Sequence, residues 1–126
     1  MKIKTSELTG AQLDCAVAKC EGYTLTSDGI SQLVERGTEL RILGPTSSVL
    51  HYSPSTDWAQ GGPIIEREEF TVSHSPYDHV FYGRARPWCV EKRGVMEYGE
   101  TLLIAAMRCY VASKMGDEVE VPGELA

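Results

Sequence analysis

The residues best suited to bind a ligand lie together in one segment in the middle of the chain, Tyr52–Pro63 (YSPSTDWAQGGP). The segment contains hydroxyl groups, an indole that can stack on a base, an amide, and two glycines that let a ligand approach the backbone closely. If a helix begins after Asp57, its free N–H groups and its dipole favour a bound phosphate or carboxylate there. This composition predicts a site for a nucleotide-type ligand, with these candidate residues in the segment: Tyr52, Ser53, Ser55, Thr56, Trp58, Gly61 and Gly62.

The same segment also allows a purely structural interpretation. Ser, Thr and Asp are common helix caps, and Trp58 can be an anchor of the hydrophobic core. Gly61 and Gly62 can serve only to let two helices pack closely. The sequence by itself leaves both interpretations open.

Two arginines further along the chain are candidates for the same ligand. Arg84 and Arg86 follow a predicted strand that ends near Tyr82, and alternate positions of a continuing strand place both side chains on one face. Two guanidinium groups beside Tyr82 can hold a pyrophosphate or stack on a base. The alternative is that both are solvated surface arginines paired with carboxylates.

No strong catalytic or metal-binding motif is present in the sequence. His74 and His79 are separated by a predicted turn, and His51 stands alone, so neither a zinc motif nor a nucleophile elbow can be assembled. A Cys–His nucleophile pair needs distant residues, such as Cys89 and one of these histidines, to meet. We therefore expect a protein that is not an enzyme and that carries no metal or cofactor.

The first and last helices that position these residues are well marked. A capping-box pattern at Thr9–Gln12 and an apolar repeat from Leu13 to Cys20 predict a helix at about 9–21. A second repeat from Leu103 to Met115, with Thr101 as N-cap, predicts a helix at about 101–116. Arg108 and Lys114 are assigned to a polar face of that last helix.

The middle of the chain shows short, extended patterns. Residues 30–34 and 40–43 suggest a β-hairpin, and residues 70–73 and 80–86 are predicted to pair as antiparallel strands. Trp88–Val90 can add a third strand before a polar link at 91–100. Between these regions a helix either starts at Asp57 and bends at Pro63, which we favour, or starts with Pro63 itself.

The chain of 126 residues fits a single domain, 1–126, in which residues 117–126 are predicted to form an acidic, partly mobile tail. The elements predict an α+β fold, a small antiparallel sheet sandwiched with two or three helices. The formal net charge of −6 disfavours a general electrostatic grip on nucleic acid. Neither a membrane span nor a signal peptide is recognisable, and the four cysteines, at 15, 20, 89 and 109, are interpreted as reduced core residues, as expected in a cytosol.

Three blocks of the sequence resemble the NinX family of small proteins encoded by lambda-like temperate phages. They are residues 1–10 (MKIKTSELTG), 52–67 (YSPSTDWAQGGPIIER) and 103–119 (LIAAMRCYVASKMGDEV). The order of elements is also similar to the phage domain called the ABA sandwich, except that Leu102 stands where that domain has a proline. The resemblance implies a phage accessory protein in the cytoplasm of the bacterial host, and it supplies no established biochemical activity.

The phage context turns the predicted ligand segment into a functional hypothesis. We expect a protein that binds and sequesters a small nucleotide-type ligand, such as an ADP-ribose-derived or cyclic-nucleotide immune signal of the host. We expect it to act as a homo-oligomer, because a chain of this size has little room for a cavity in its own core. The alternatives are a protein-binding inhibitor or adaptor, and an accessory factor in DNA transactions, which the net charge disfavours.

Overall fold

A computed structural model describes residues 1–27, 31–74, 80–81 and 84–125 of the chain. The helices in these residues are α1 (Gly10–Cys20), α2 (Trp58–Glu68) and α3 (Leu102–Met115). The strands are β1 (Lys2–Lys4), β2 (Thr24–Ser27), β3 (Gln32–Arg36), β4 (Glu39–Ile42), β5 (Thr71–His74), β6 (Val80–Phe81), β7 (Arg84–Ala85), β8 (Trp88–Lys92), β9 (Val95–Gly99) and β10 (Glu118–Glu120). All of them pair in small antiparallel sheets, which confirms the predicted α+β class. Within the described residues, no helix has both the length and the apolar character that crossing a bilayer requires.

Helix α3 lies at the centre of the core. Three residues of its predicted stripe, Leu103, Met107 and Val111, are buried, whereas the fourth, Met115, is exposed at the end of the helix. The hydroxyl of the N-cap Thr101 accepts a hydrogen bond from the N–H of Ile104 at 3.1 Å. The helix contacts strands β8 and β9 as well as helices α1 and α2. Because it is covered by neighbours on several sides, α3 is buried almost all round instead of having one polar face.

Helix α1 confirms the prediction of a first helix, but its predicted capping box does not form. Thr9 is the N-cap, yet its side chain accepts no capping hydrogen bond. Gly10 adopts a left-handed φ of +54°, which redirects the chain between Thr9 and the first helical amides. One face of α1, with Leu13 and Val17, packs against α3. Other residues of α1 join a second core cluster, which contains Cys15, Ala18, Tyr23, Val34, Leu43 and Tyr52.

The sheet beside α3 is paired differently from the prediction. Strand β5 pairs with β8, with Ser73 opposite Cys89, and not with β6 or β7. Strands β6 and β7 pair with each other, and residues 75–79 and 82–83 lie outside the described residues. The predicted polar link at 91–100 is also wrong, because β8 continues to Lys92 and turns into β9. Strand β9 packs on the core with only one of its two faces, so only alternate residues need to be apolar. This explains why its sequence does not look like a strand.

The predicted hairpin at 30–43 is confirmed with shifted boundaries. Strands β3 and β4 pair antiparallel around the turn at Gly37, whose φ is +63°, and β2 adds a third strand on the other side of β3. In the β3–β4 register Arg36 lies opposite Glu39, and Val34 lies opposite Arg41. These four side chains therefore share one face of the sheet.

The acidic tail is partly built into the fold. Strand β10 pairs antiparallel with β1, with Val119 opposite Ile3, and both Val119 and Val121 are buried. The predicted tail therefore contains a paired strand at Glu118–Glu120, and its partial mobility stays a prediction. Two buried valines in an otherwise charged stretch are enough to attach it to the core.

Arg108 corrects the assignment of a polar face to the last helix. Its side chain is fully buried; Nε donates to the carbonyl oxygen of Leu8 at 2.9 Å, and Nη1 donates to that of Tyr98 at 2.7 Å. Glu100 Oε2 lies 3.8 Å from Nη1. Arg108 therefore connects the N-terminal segment, the end of β9 and the middle of α3.

We expect Arg108→Met to destabilise the protein by about 2–4 kcal/mol, because the buried carbonyls of Leu8 and Tyr98 lose their donors. Lys114→Met, on the exposed end of the same helix, should change the free energy of unfolding by less than about 0.5 kcal/mol. Urea unfolding of the two variants measures the difference. Equal stability of the two variants would show that Arg108 does not hold these elements together.

Candidate functional site

The segment singled out by its composition is attached to the edge of strand β4. The N–H of Ile42 donates to the carbonyl of Leu50 at 3.0 Å, and the N–H of Tyr52 donates to the carbonyl of Ile42 at 2.8 Å. His51 therefore pairs with Ile42 as an isolated parallel bridge. This pairing brings the start of the segment next to the charged face of the β3–β4 hairpin.

An open pocket of about 340 Å³ lies where the segment meets the hairpin. We call it the arginine pocket. Its lining includes Tyr23, Arg36, Glu39, Arg41, His51, Tyr52 and Gln60. The pocket therefore combines two guanidinium groups with two phenol rings and an amide, in a space that can hold a small polar ligand.

The two arginines already hold an anionic group of the protein. Glu39 Oε1 lies 3.4 Å from Nη2 of Arg36, and Glu39 Oε2 lies 3.6 Å from Nη2 of Arg41. Arg36 also lies over the ring of Tyr23, with Cζ 4.4 Å from the ring centroid. Arg41 makes one further hydrogen bond, to the carbonyl of Leu40 at 3.2 Å. Its remaining N–H donors have no partner in the described part of the chain.

The charged and phenolic groups of the arginine pocket are each held in one protonation state. The hydrogen bond from the Tyr23 hydroxyl, assisted by Arg36, holds the pKa of Glu39 below its usual range. Burial raises the pKa of Tyr52, and burial together with Glu39 raises the pKa of Tyr23. At neutral pH the carboxylate therefore stays ionised and both phenols stay protonated.

A further carboxylate at the pocket, that of Glu21, stays ionised, and its negative charge is balanced by its own hydrogen-bond partners. Arg67 donates to its two oxygens at 3.1 and 2.7 Å, and the hydroxyl of Tyr110 donates to one of them. Burial acts to raise the pKa of Glu21, but these hydrogen bonds outweigh it and hold the pKa below its usual range. The network links the ends of α1 and α2 to α3, so the floor of the pocket is tied to the core.

Gln60 organises the segment over the first turn of α2. Its Oε1 accepts from the N–H of Ser53 at 2.9 Å, and its Nε2 donates to the carbonyl of His51 at 2.9 Å and to Oδ2 of Asp57 at 3.0 Å. Asp57 is the N-cap, and it accepts from the N–H of Ala59 at 3.0 Å. These contacts confirm a helix that starts after Asp57 and contains Pro63.

The two serines of the segment are buried structural residues. Ser53 is held by Gln60, and the N–H of Ser55 donates to Oδ1 of Asp14 at 2.9 Å. Asp14 is only 4% exposed, and burial raises its pKa to about 6 although Ser55 opposes this shift. Asp14 thus joins α1 to the candidate segment through a carboxylate that titrates near neutral pH.

Trp58 and the two glycines do not line the arginine pocket. Trp58 is 56% exposed, which excludes a role as a core anchor, and it lies about 200° around α2 from Gln60, two residues further on. A Cβ on Gly61 would come within 2.3 Å of the carbonyl oxygen of Pro54 and 2.6 Å of Leu103 Cδ2. Gly61 therefore serves close packing, and Gly62 lies against the Trp58 ring.

The structure does not bring Arg86 to this pocket. Arg86 donates from Nη1 to the carbonyl of Ser6 at 2.9 Å, and its Nε lies 3.4 Å from Oε1 of Glu100, beside the buried Arg108. The backbone of Arg84 lies in β7, but its side chain and all of Tyr82 lie outside the described residues. Of the predicted site residues, Tyr52 lines the arginine pocket and Thr56 lines an adjacent cavity.

Sequence reasoning missed the groups that give the pocket its charge, above all Arg36 and Arg41. The available signal was the hairpin itself, because pairing around Gly37 places Arg36, Glu39 and Arg41 on one face. To use this signal one must know the register of the two strands, which cannot be read from the sequence alone. In the described residues, no group of three or more His, Cys, Asp and Glu side chains is arranged to hold a metal ion.

The fold and site define a small α+β protein with a buried central helix and an open, arginine-containing pocket. The sequence model of the family described as Bacteriophage P22, NinX matches residues 4–114. The chain belongs to this NinX family, as the resemblance of the three blocks implies, and it is therefore a phage protein. Comparison with curated proteins gave no match.

The raised pKa of Asp14 predicts a specific dependence of stability on pH. The pKa of Asp14 is about 6 in the folded protein, compared with 3.8 for an ordinary aspartate. Ionisation of Asp14 therefore opposes folding. The contribution of Asp14 to stability is complete below about pH 4 and is lost as the pH rises through about 6. Asp14→Asn retains an oxygen for the Ser55 N–H but has no carboxyl group to ionise. The free energy of unfolding of the variant minus that of the natural chain should therefore increase by about 2 kcal/mol from pH 4 to pH 7. Urea unfolding across this range measures the trend, and a difference that does not vary with pH would contradict it.

Proposed function

We propose that the protein binds a small nucleotide-type ligand in the arginine pocket. The observation that carries this proposal is the convergence of Arg36 and Arg41, from the β3–β4 hairpin, on Tyr52 and Gln60 of the central segment. Guanidinium groups bind phosphate oxygens through paired, charge-assisted hydrogen bonds. The wall of the pocket beside these arginines is aromatic and polar, formed by Tyr23, Tyr52 and Gln60.

Glu39 limits how an anionic ligand can bind. Its ionised carboxylate lies between Arg36 and Arg41, at distances of 3.4 and 3.6 Å, so a phosphate must use the donors that Glu39 leaves open. Arg41 has further donors that a phosphate can use. A phosphate has three acceptor oxygens, so it can engage Arg41 without breaking the contact of Glu39 with Tyr23.

The protonation states support binding in preference to catalysis. An acid–base catalyst needs a pKa near the working pH, and four groups of the pocket do not meet this condition, because Glu39 and Glu21 stay ionised and the phenols of Tyr23 and Tyr52 stay protonated. Fixed charges of this kind recognise a ligand without transferring protons to it. We therefore propose a non-enzymatic role.

In the phage context, a binder of this kind sequesters a nucleotide signal of host immunity in the cytoplasm of the infected cell. Removal of a signal requires only affinity and sufficient amounts of protein, which a small non-enzymatic protein can supply. ADP-ribose-derived and cyclic nucleotides are the ligand classes that we propose. The net charge of −6 makes nucleic acid a less suitable partner.

A second candidate function, binding to another protein, is favoured by one observation. Trp58 is 56% exposed on α2. Because tryptophan is among the residues most enriched in protein interfaces, this exposure favours contact with a partner. The partner we propose first is a second copy of the chain, in keeping with the expected homo-oligomer. A host protein is the alternative partner.

Arg41→Gln should weaken nucleotide binding about tenfold to a hundredfold, because a charge-assisted hydrogen bond contributes ~1.5–3 kcal/mol. Isothermal titration calorimetry with AMP, ADP-ribose and a cyclic dinucleotide measures the effect. Arg93→Gln is the matched control, since Arg93 is exposed in the β8–β9 turn and lies outside the arginine pocket. Absence of heat with all three nucleotides, or equal losses in the two variants, would contradict the proposed function.

Trp58→Ala should change the free energy of unfolding by less than about 1 kcal/mol, because most of the side chain is already in contact with solvent. Nucleotide affinity should not change, since Trp58 lies on another face of α2 from Gln60. Light scattering at micromolar concentration should give a mass above the 13.9 kDa of one chain for the natural protein and a lower mass for the variant. A monomer mass for the natural protein would exclude self-association through Trp58.

A further inference from the structure

The carboxylate of Glu39 forms ion pairs with both arginines that line the arginine pocket. Its Oε1 lies 3.4 Å from Nη2 of Arg36, and its Oε2 lies 3.6 Å from Nη2 of Arg41. The hydroxyl of Tyr23 also donates a hydrogen bond to Oε2, so three side chains hold the carboxylate in place. A ligand that binds these arginines therefore meets a fixed negative charge.

The two arginines differ in how much of each is open to a ligand. Nη1 of Arg36 donates to the carbonyl of Glu21 at 2.8 Å, and its Nη2 contacts Glu39. Arg41 donates one hydrogen bond to the carbonyl of Leu40, and its other donors are open within the described part of the chain. A phosphate therefore binds mainly through Arg41, whose guanidinium also contacts Glu39.

The bound phosphate then lies close to the carboxylate of Glu39. Oε2 of Glu39 is 3.6 Å from Nη2 of Arg41. A phosphate oxygen bound to the same nitrogen at about 2.8 Å is within about 6.5 Å of that carboxylate oxygen. This separation is shorter than the Debye length of about 8 Å at physiological ionic strength, so salt does not remove the repulsion. The repulsion is proportional to the charge of the phosphate.

The arginine and glutamate side chains at the pocket leave one positive charge in excess. Arg36 and Arg41 supply two positive charges, and Glu39 supplies one negative charge. The carboxylate of Glu21 is balanced by its two hydrogen bonds from Arg67. Attraction to an anion grows in proportion to its charge, whereas the cost of removing water from it grows with the square of that charge. One excess positive charge therefore suits a phosphate with one negative charge.

We propose that Glu39 determines the specificity of the arginine pocket by selecting phosphates that carry a single negative charge. Such phosphates occur in phosphodiesters and within a pyrophosphate bridge. A terminal phosphate carries two charges above its second pKa of about 6. Cyclic nucleotides and ADP-ribose-derived ligands belong to the favoured class, and AMP belongs to the disfavoured class. This inference rests on the proposed function and deepens it, because it names the kind of phosphate that the pocket recognises.

AMP and its methyl ester give a direct test at pH 8. They share the base and the sugar, but the phosphate carries two charges in AMP and one in the ester. In calorimetric titrations the natural chain should bind the ester at least about threefold more tightly than AMP. This comparison of two ligands on the natural chain requires no variant.

Glu39→Gln should remove the preference for the ester. Glutamine retains an oxygen that accepts the Tyr23 hydroxyl, but it has no charge. The variant should bind the ester about threefold more tightly than the natural chain does, and AMP about tenfold more tightly, because the repulsion acts on two charges in AMP. Arg41→Gln should weaken both ligands.

Glu35→Gln is the matched control, because it removes the same charge from the same hairpin. Glu35 is exposed and lies opposite Leu40 in the β3–β4 register, so its side chain is on the other face of the sheet from Arg36 and Glu39. This variant should change both affinities by the same factor, which should be less than about twofold. A change of ligand preference equal to that in Glu39→Gln would assign the effect to the net charge and overturn the inference.

The failure of this inference is distinguishable from the failure of the proposed function. If both ligands bind and Arg41→Gln weakens them, but the natural chain does not prefer the ester, Glu39 does not select by charge and the proposed function stands. The same holds if Glu39→Gln strengthens the two ligands equally, or weakens them both. If neither the natural chain nor Glu39→Gln binds AMP, its methyl ester or ADP-ribose, the proposed function fails and the inference fails with it.

Discussion

The fold depends on one buried guanidinium, that of Arg108 in the middle of α3. It donates to the carbonyls of Leu8 and Tyr98, which belong to the segment before α1 and to the end of β9. Burial, and then the nearby Arg86, lower the pKa of Arg108, so the site is costly for a cation. Two backbone acceptors and the nearby carboxylate of Glu100 offset part of that cost. An apolar residue of similar volume at this position could fill the same space, but it would leave the carbonyls of Leu8 and Tyr98 without donors. The arginine therefore specifies how the ends of separate elements meet around the helix.

The arginine pocket depends in turn on α3 through a chain of contacts. Tyr110 of α3 donates to Glu21, which Arg67 of α2 also binds with two hydrogen bonds. The carbonyl of Glu21 accepts from Nη1 of Arg36 at 2.8 Å, so the hairpin arginine is anchored to the end of α1. The pocket is thus formed by charges that are already positioned before a ligand arrives. Such preorganisation lowers the cost of ordering side chains on binding.

The central segment contributes less as a set of ligand-contacting side chains than as a connector. Its serines are buried and bonded to Gln60 and Asp14, and Gly61 permits α2 to approach Pro54 and Leu103. The composition that suggests a nucleotide site is therefore explained in large part by local packing and capping. Three residues of this region remain accessible to a ligand. Tyr52 and His51 line the arginine pocket, and His51 and Thr56 line the adjacent cavity.

The sequence by itself determined the elements that local physics controls. Apolar repeats determined α1 and α3, a capping aspartate determined the start of α2, and turn residues around Gly37 determined the β3–β4 hairpin. Only the tertiary structure decided that β5 pairs with β8, that the acidic tail pairs with β1, and that Arg108 is buried. It also decided which arginines reach the pocket. Arg108 and Leu8 are 100 residues apart in the chain, and periodicity carries no information about contacts at such separations. Polar residues in particular are assigned to solvent by their type, until packing shows which of them have a buried partner.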